Sequence, residues 1–156
     1  MTDPFRTPDD DARATARQLV DDATFAALAV TDPQTGHPSV TRIALATDTD
    51  GTPVSLISDL STHTAALVNQ PACALLVGEP ADKGDPLTHP RLTLHCTARF
   101  IPHAQDAQLR AHYLAARPKA TLYAGFTDFR FVRFTVDTGL LNGGFGKAFK
   151  LGPGDL

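Results

Sequence analysis

Tryptophan is absent from this chain of 156 residues, methionine occurs once, and long apolar runs are missing as well. The longest apolar runs, such as FAALAV at positions 25–30, are far shorter than the roughly 20 residues that a membrane-spanning helix requires. No basic segment followed by an apolar one opens the chain, so we expect no secretory signal peptide. These absences argue against a membrane protein and predict a cytoplasmic location.

Positive charge is not concentrated anywhere in the chain. The net charge is −3 and no cluster of Lys and Arg occurs, which argues against nucleic acid or a membrane surface as a partner. Cysteine is limited to Cys73 and Cys96, without a CxxC or His/Cys spacing, so we predict two buried free thiols and no metal site. The motifs GxSxG, the P-loop and GxGxxG after a strand are also missing.

What is present indicates one globular domain of mainly β or α+β class over residues 1–156, with residues 1–8 loosely held and no further C-terminal domain. Segment 91–101, RLTLHCTARFI, alternates between polar and apolar residues from Arg91 to Phe100, as a strand with one buried face does. Helices are predicted at 8–23, from Ser61 to before Pro71, and at 104–116. The other predicted strands are TFAALAVTD, SVTRIALAT, PVSLIS, ACALLVG and DFRFVRFTV, with a further short one in the glycine-rich tail. Short turns between the strands favour an antiparallel sheet or small barrel over a doubly wound fold.

The segment SLISDLSTHTAAL, positions 55–67, places four hydrogen-bond donors at the start of a helix. Ser61 is a natural N-cap, and capping accounts for one donor. Thr62, His63 and Thr64 together are suited to a phosphate, because a helix N-terminus also offers free N–H groups and a positive dipole end. Plain capping and anion binding both remain open at this point.

Arg42 lies within an apolar predicted strand, between Val40 and Ala44 on the same face. A charge in such a strand needs a partner or a pocket. The alternatives are an ion pair with a surface Asp and a bound anion, since the guanidinium matches phosphate well.

These residues resemble the FMN-binding split-barrel family typified by pyridoxamine 5′-phosphate oxidase, and within it the haem-utilisation branch of HugZ-type proteins. The resemblance covers about residues 20–151 and is carried by SVTRIAL, DGTPVSLISDLSTHTAALVNQPACALLVG, DPLTHPRLTLHCTARF, YLAARPKATLYAGFTDF and LNGGFGKAF. It implies a six-stranded antiparallel split β-barrel of Greek-key type with flanking helices. It also implies a homodimer with one FMN in each of two interface clefts.

The resemblance assigns roles residue by residue. Arg42 corresponds to the strand arginine that holds the FMN phosphate, and Ser58 to a Thr or Ser near the isoalloxazine edge. Ser61, Thr62 and His63 correspond to a Ser-Arg-Lys run on the phosphate, so Thr-His keeps the donors and loses the charge, as in the haem-utilisation branch. The remaining cofactor-binding candidates are Thr64, Arg91 (where the oxidases carry a Gln beside the flavin) and, from the other subunit, Lys147 or Lys150.

The substrate chemistry of the oxidases is not carried over as a whole. Tyr113, Arg117 and Thr121 repeat the spacing of their substrate-phosphate residues, although the same spacing also fits a surface Arg and a half-buried Tyr beside a helix end. Thr47 stands where the oxidases need a lysine, and their C-terminal Arg-x-His pair is missing.

The chain also lacks a residue that the haem-degrading members use. The haem-degrading members hold iron through a C-terminal histidine, and no histidine follows His112 here. His89, His95 or Tyr123 could ligate iron in principle, but a lone His beside a Pro or on a polar strand face is usually solvated or hydrogen bonded. Two functions therefore stay open: an FMN-dependent oxidoreductase with an unknown small-molecule substrate, and a binding module without turnover that holds flavin or haem. No catalytic acid or base is assigned.

Overall fold

The computed structural model of the chain describes residues 2–156. Three α-helices form: α1 (Asp10–Asp22), α2 (Thr62–Asn69) and α3 (Ala107–Ala116). The strands are β1 (Phe25–Thr31), β2 (Pro38–Ala44), β3 (Ala46–Thr47), β4 (Pro53–Ser58), β5 (Ala72–Val77), β6 (Arg91–Ile101), β7 (Phe129–Asn142) and β8 (Ala148–Leu151). Short 3₁₀ turns at Pro86–Thr88, His103–Gln105, Pro118–Leu122 and Pro153–Asp155 complete the chain.

One antiparallel sheet contains all eight strands, in the order β2-β1-β5-β6-β7-β4-β3, with β8 paired to β7. The two end strands, β2 and β3, are consecutive in the chain and separated by Leu45 alone. A sheet whose opposite ends are joined by one residue must curl until they meet, and Leu45 is fully buried at that seam. The result is a curled, barrel-like sheet consistent with the split barrel.

The expected strand number of six is wrong, since the sheet has eight strands. Leu45 interrupts the predicted strand SVTRIALAT and turns its last residues into β3. The tail supplies β8, which pairs with the second half of the long strand β7 while β4 pairs with its first half. Local periodicity does not show either division, because both depend on which distant strand is available for pairing.

Alternation along β6 is confirmed, with Leu92, Leu94, Cys96 and Ala98 buried inside the barrel. Helix α1 also follows its predicted stripe: Ala12, Ala16 and Val20 are buried, and the Asp9 carboxylate caps the helix by accepting from the Ala12 N–H at 2.8 Å. A second, smaller core lies under α3 and contains Tyr113 and Phe131, whose rings meet edge to face at 5.3 Å. The barrel and α3 therefore each close over their own apolar cluster.

Within residues 2–156, the outer face of the sheet over β2, β1 and β5 carries side chains that are partly or largely exposed. Along β1 the inward residues Ala26, Leu28 and Val30 are buried, so Phe25, Ala27 and Ala29 face outward. Their neighbours on this face include Val40, 65% exposed, and Leu76, 45% exposed. Partly exposed apolar side chains therefore adjoin on this face.

Among residues 2–156, the structure has no helix with the length and apolar character needed to cross a membrane. Met1 lies outside the described residues. Within the segment predicted to be loosely held, the Arg6 N–H donates to the Ala148 carbonyl at 2.8 Å, so this segment touches β8.

Candidate functional site

The start of α2 leaves part of its donor set unused. Ser61 occupies the N-cap position, but its side chain makes no capping hydrogen bond. Thr62 is exposed at the first helical position, so its hydroxyl can reach a ligand, whereas among the first-turn N–H groups that of Thr64 already donates to the Ser61 carbonyl at 3.1 Å. Simple side-chain capping by Ser61, one of the two alternatives, is therefore not what the structure shows.

Two neighbouring hydroxyls are already committed within the chain. Thr64 is buried and donates to the Ser58 carbonyl at 2.6 Å. Ser58 Oγ donates to Asp128 Oδ2 at 2.8 Å and accepts from the Leu60 N–H at 3.1 Å. Because a hydroxyl has one proton to donate, Thr64 and Ser58 hold the β4–α2 connection together and have no donor left for a ligand.

His63 carries a buried polar atom without a partner. Its Nδ1 lies 3.1 Å from Thr41 Oγ1, whereas Nε2 has no hydrogen bond among the described residues. Burial lowers the pKa of the His63 imidazole, so the ring is neutral near pH 7. An anion accepting from Nε2–H would satisfy this atom, with Nδ1 then accepting from the Thr41 hydroxyl. The hydrogen-bond donors at the start of α2 fit a phosphate, but none of them carries a positive charge.

Arg42 is exposed, contrary to the expectation of a partner or pocket around it. Its guanidinium lies 5.1 Å from the centre of the Phe25 ring and forms no ion pair within residues 2–156. Successive side chains of a strand point to opposite faces, so Arg42 lies on the face of β2 opposite to Thr41 and His63. One chain by itself thus does not place Arg42 against the start of α2.

Arg91 lines a trough of about 360 Å³ on the outer face, together with Phe5, Leu76, Thr93 and Leu140. Its guanidinium is turned towards the preceding loop, and Nη1 donates to the Leu87 carbonyl at 3.0 Å and, with a longer contact of 3.4 Å, to that of His89. In this conformation the Arg91 guanidinium is hydrogen bonded to the loop and is not available to an anion.

The turn between β7 and β8 presents side chains to solvent. Lys147 is exposed at its end, and Lys150 is exposed on β8 opposite Leu140. Phe145 at the tip is 96% exposed between glycines. Sequence reasoning named only Lys147 and Lys150 in this segment and missed the exposed Phe145, although an aromatic inside a glycine run was the available signal.

The residues that repeat the oxidase substrate-phosphate spacing are used inside the fold. Tyr113 is completely buried, and burial raises the pKa of its hydroxyl to about 12. Arg117 donates to the backbone carbonyls of Leu45 and Ala23, at 2.8 and 2.9 Å, and Thr121 donates to Pro118. These three residues therefore have structural roles, as the alternative to a substrate-phosphate site implied. Tyr113, however, is fully buried rather than half-buried, and Arg117 holds backbone carbonyls instead of being a free surface charge.

The candidate iron ligands differ in which of their side-chain atoms already have hydrogen-bond or packing partners. Both ring nitrogens of His89 are engaged, with the Ala81 N–H at 3.0 Å and the Lys83 carbonyl at 2.8 Å. His95 is exposed on the outer face, where only Nδ1 has a partner, Thr138 Oγ1 at 3.1 Å. Tyr123 packs on Phe129 with ring centres 4.7 Å apart.

The two cysteines are free thiols on directly paired positions of β5 and β6. Cys96 is buried and Cys73 is partly so. Burial raises the pKa of the Cys73 thiol to about 12, which leaves it inert as a nucleophile near neutral pH.

Comparison with known proteins places this geometry in a family. The family model described as "CREG, beta-barrel" matches residues 7–155. The chloroplastic non-canonical heme oxygenase HOZ of Arabidopsis thaliana is 36% identical over 122 residues, which are 78% of this chain and 36% of that protein. The chain thus spans about a third of the length of this curated relative.

Solved structures show the same fold. The protein Atu2129 of Agrobacterium tumefaciens, of unknown function, superposes with a TM-score of 0.84 at 32% identity, over 99% of this chain and 65% of that one. A heme binding protein from Mycobacterium smegmatis superposes with a TM-score of 0.82 at 24% identity, over 97% of this chain and 61% of that one. The resemblance to the split-barrel proteins and their haem-utilisation branch is confirmed, and with its model matched over nearly the whole chain, the protein belongs to the CREG beta-barrel family.

Proposed function

We propose that this protein binds FMN in a cleft formed by two copies of the chain and acts as a flavin-dependent oxidoreductase. The observation that carries the proposal is the unused donor set at the start of α2: the Ser61 and Thr62 hydroxyls and the orphaned His63 Nε2. A buried imidazole nitrogen without a partner is costly, and a phosphate oxygen would remove that cost.

The residues near the start of α2 and on β2 have different roles in binding FMN. Ser61, Thr62 and His63 donate to the phosphate beside the positive end of α2. Arg42 adds the full positive charge that these neutral donors lack, reaching around β2, which pairs with β1 alone. Bound FMN would supply the electron-transfer chemistry, while the chain orients the flavin and limits its access to water. Arg91 and, from the second copy of the chain, Lys147 or Lys150 are the further residues that would contact the flavin.

FMN titration followed by flavin fluorescence tests the proposal. We expect wild-type protein to bind FMN stoichiometrically and Arg42→Ala to lose about 2 kcal/mol, or roughly thirtyfold in affinity, since hydrogen bonds to a charged group are worth this much. Arg99→Ala is the matched control, because Arg99 is likewise exposed on a strand and forms no ion pair within residues 2–156.

Absence of any flavin binding by the wild-type protein would refute the proposal. An equal loss in Arg42→Ala and Arg99→Ala would remove the assignment of Arg42 while keeping the flavin. The free His63 Nε2 gives an independent check: His63→Phe should also weaken FMN, and should not weaken riboflavin, which has no phosphate.

The partner in this proposal is a second copy of the chain, packed on the outer sheet face of β2, β1 and β5. The face carries Val40 and Leu76 together with the outward residues of β1, and it adjoins Arg42. A closed dimer would cover these side chains and complete the cleft.

Sedimentation at about 10 µM, in the range where stable dimers persist, should therefore give twice the chain mass of 16.6 kDa. Leu76→Asp places a charge in the interface and should sediment as a single chain. Leu122→Asp is the control: Leu122 is 82% exposed, but it lies in the 3₁₀ turn after α3, away from this face. A wild-type monomer that binds FMN tightly, or a Leu76→Asp dimer of unchanged affinity, would contradict this interface.

Haem is the second candidate ligand, and the similarity to HOZ favours it. On the structure, His95 is exposed on the outer face with a free Nε2, and Arg91 could pair with a carboxylate. Haemin in place of FMN in the same titration separates the two. A stoichiometric Soret shift that His95→Ala abolishes, without flavin binding, would replace the flavin proposal by a haem-binding function.

A further inference from the structure

The loop between β5 and β6, residues 78–90, is closed at its base and again by a histidine. At the base, Gly78 has φ +100° and lies so close to Pro90 that a Cβ there would meet the Pro90 carbonyl oxygen at 2.6 Å. Within the loop, the His89 ring accepts from the Ala81 N–H at 3.0 Å through Nδ1 and faces the Lys83 carbonyl at 2.8 Å through Nε2. We call this pair of bonds the His89 clasp.

The partners of the clasp determine its protonation state. A backbone N–H can only donate, so Nδ1 must carry a lone pair; a carbonyl can only accept, so Nε2 must carry the proton. The closed loop therefore contains neutral His89 in one tautomer. A second proton on Nδ1 would point at the Ala81 N–H and replace an attraction by a clash of two donors.

The loop closed in this way holds Arg91. Its Nη1 donates to the Leu87 and His89 carbonyls, which are carbonyls of the loop itself. The same side chain lines the trough with Leu76 and Leu140. The two carbonyls belong to a turn that Asp85 also holds, since its carboxylate accepts from the Leu87 N–H at 2.9 Å, so Arg91 is freed for an anion in the trough only when this turn moves away together with the opened loop.

We propose that the His89 clasp is a proton-operated latch: protonation of His89 opens the loop at 79–89 and releases Arg91 to the trough. Opening of the loop is independent of any ligand, whereas the effect of Arg91 on FMN rests on the proposed function. Acid favours the open loop, because it supplies the second proton that the contact between Nδ1 and the Ala81 N–H cannot accommodate.

The charged groups around the latch do not pair with it. His89 forms no ion pair among residues 2–156. The titratable and charged groups on the elements packed around it are Glu79, Asp82, Lys83 and Asp85 of the loop, Arg91 of β6, Lys147 of the β7–β8 hairpin and Asp22 at the end of α1. They carry both signs, so the hydrogen-bond conflict at Nδ1 decides the direction of the response.

Hydrogen exchange of the Ala81 amide, measured by NMR on the full chain and corrected for the intrinsic rate, tests the latch. We expect protection at pH 8 that falls at least tenfold by pH 5, in step with titration of the His89 ring signals. The turn at 48–52 is the internal control, because its Gly51 amide donates to the Asp48 carbonyl at 2.9 Å and the turn contains no histidine. His89→Phe should leave Ala81 unprotected at both pH values.

An Ala81 amide equally protected at pH 8 and pH 5, or still protected in His89→Phe, would overturn the latch. The second step is tested at pH 8, where the phosphate of FMN keeps its charge: His89→Phe should bind FMN several-fold more tightly, and His89→Phe/Arg91→Ala should lose this gain. Unchanged affinity in His89→Phe would overturn the release of Arg91. Absence of FMN binding in wild type would count against the proposed function and leave the exchange result standing.

Discussion

Replacing Arg117 by alanine is expected to lower the free energy of unfolding by about 2–4 kcal/mol, because the change removes the hydrogen bonds that its guanidinium donates to two distant backbone carbonyls. Arg117 Nε donates to Leu45 and Nη2 to Ala23, at 2.8 and 2.9 Å. Leu45 is the residue that joins the two ends of the curled sheet, and Ala23 follows α1. The guanidinium therefore ties the end of α3 to the seam of the barrel.

Urea denaturation of the single domain measures this loss. Lys119→Ala is the matched control, since Lys119 is exposed two residues later and its side chain makes no hydrogen bond or ion pair within residues 2–156. Arg117→Lys should restore only part of the stability, because an ammonium lacks the planar fork that reaches two carbonyls at once. A loss of less than about 0.5 kcal/mol, the usual range of surface substitutions, would show that water replaces the clamp.

The same variant separates the two roles that Arg117 has been given. A residue on a substrate phosphate would change ligand affinity and leave folding intact. Arg117→Ala should instead unfold more easily and, in the folded fraction at low temperature, bind FMN as the wild type does.

Replacing Asp106 by alanine is expected to cost about 3 kcal/mol, through loss of a buried ion pair. Asp106 is only 4% exposed, and Arg110 grips its carboxylate with Nη2 at 2.9 Å and Nε at 3.4 Å. Arg110 also donates to the Ala124 carbonyl and lies over the Phe131 ring at 5.3 Å. Without the carboxylate, a largely buried guanidinium is left without its counter-charge.

Thermal unfolding should register this change as a fall in Tm of about 6–12 °C for a chain of this size. Asp106→Asn keeps acceptor geometry and should recover roughly half of the loss. Gln108→Ala, two residues along on the exposed side of α3, should change Tm by less than about 2 °C. A Tm for Asp106→Ala within that same margin would contradict the ion-pair account.

Much of the fold was predictable because it rests on local patterns. The alternation of β6 and the apolar stripe of α1 report which face is buried, whatever element covers it. The start and end of α2 agree with the sequence signals, since Ser61 occupies the N-cap position, although its side chain makes no capping hydrogen bond, and Pro71 is a helix breaker. The division of SVTRIALAT at Leu45 could not be predicted, because nothing in the residues themselves marks the place where a sheet closes on itself.

In the candidate site, too, some features could be predicted from the sequence and others could not. Sequence by itself selected the donors at the start of α2, and the structure leaves Ser61, Thr62 and His63 Nε2 available. It could not separate these from Thr64 and Ser58, whose hydroxyls have the same chemistry but are taken by Ser58 O and Asp128. Sequence identifies which groups can donate, whereas a hydrogen bond is decided by which acceptor lies within about 3 Å.

Arg42 and Arg117 are the clearest contrast. On sequence, Arg42 within an apolar strand was expected to need a partner or a pocket, and Arg117 was expected either to bind a substrate phosphate or to lie on the surface. The structure differs on both: Arg42 is exposed without an ion pair within residues 2–156, and Arg117 donates to carbonyls 72 and 94 residues away in the chain. Periodicity and caps are set by neighbours in sequence and were determined by the sequence alone. The surroundings of a charge are set by segments that meet only when the sheet curls, and only the tertiary structure decided them.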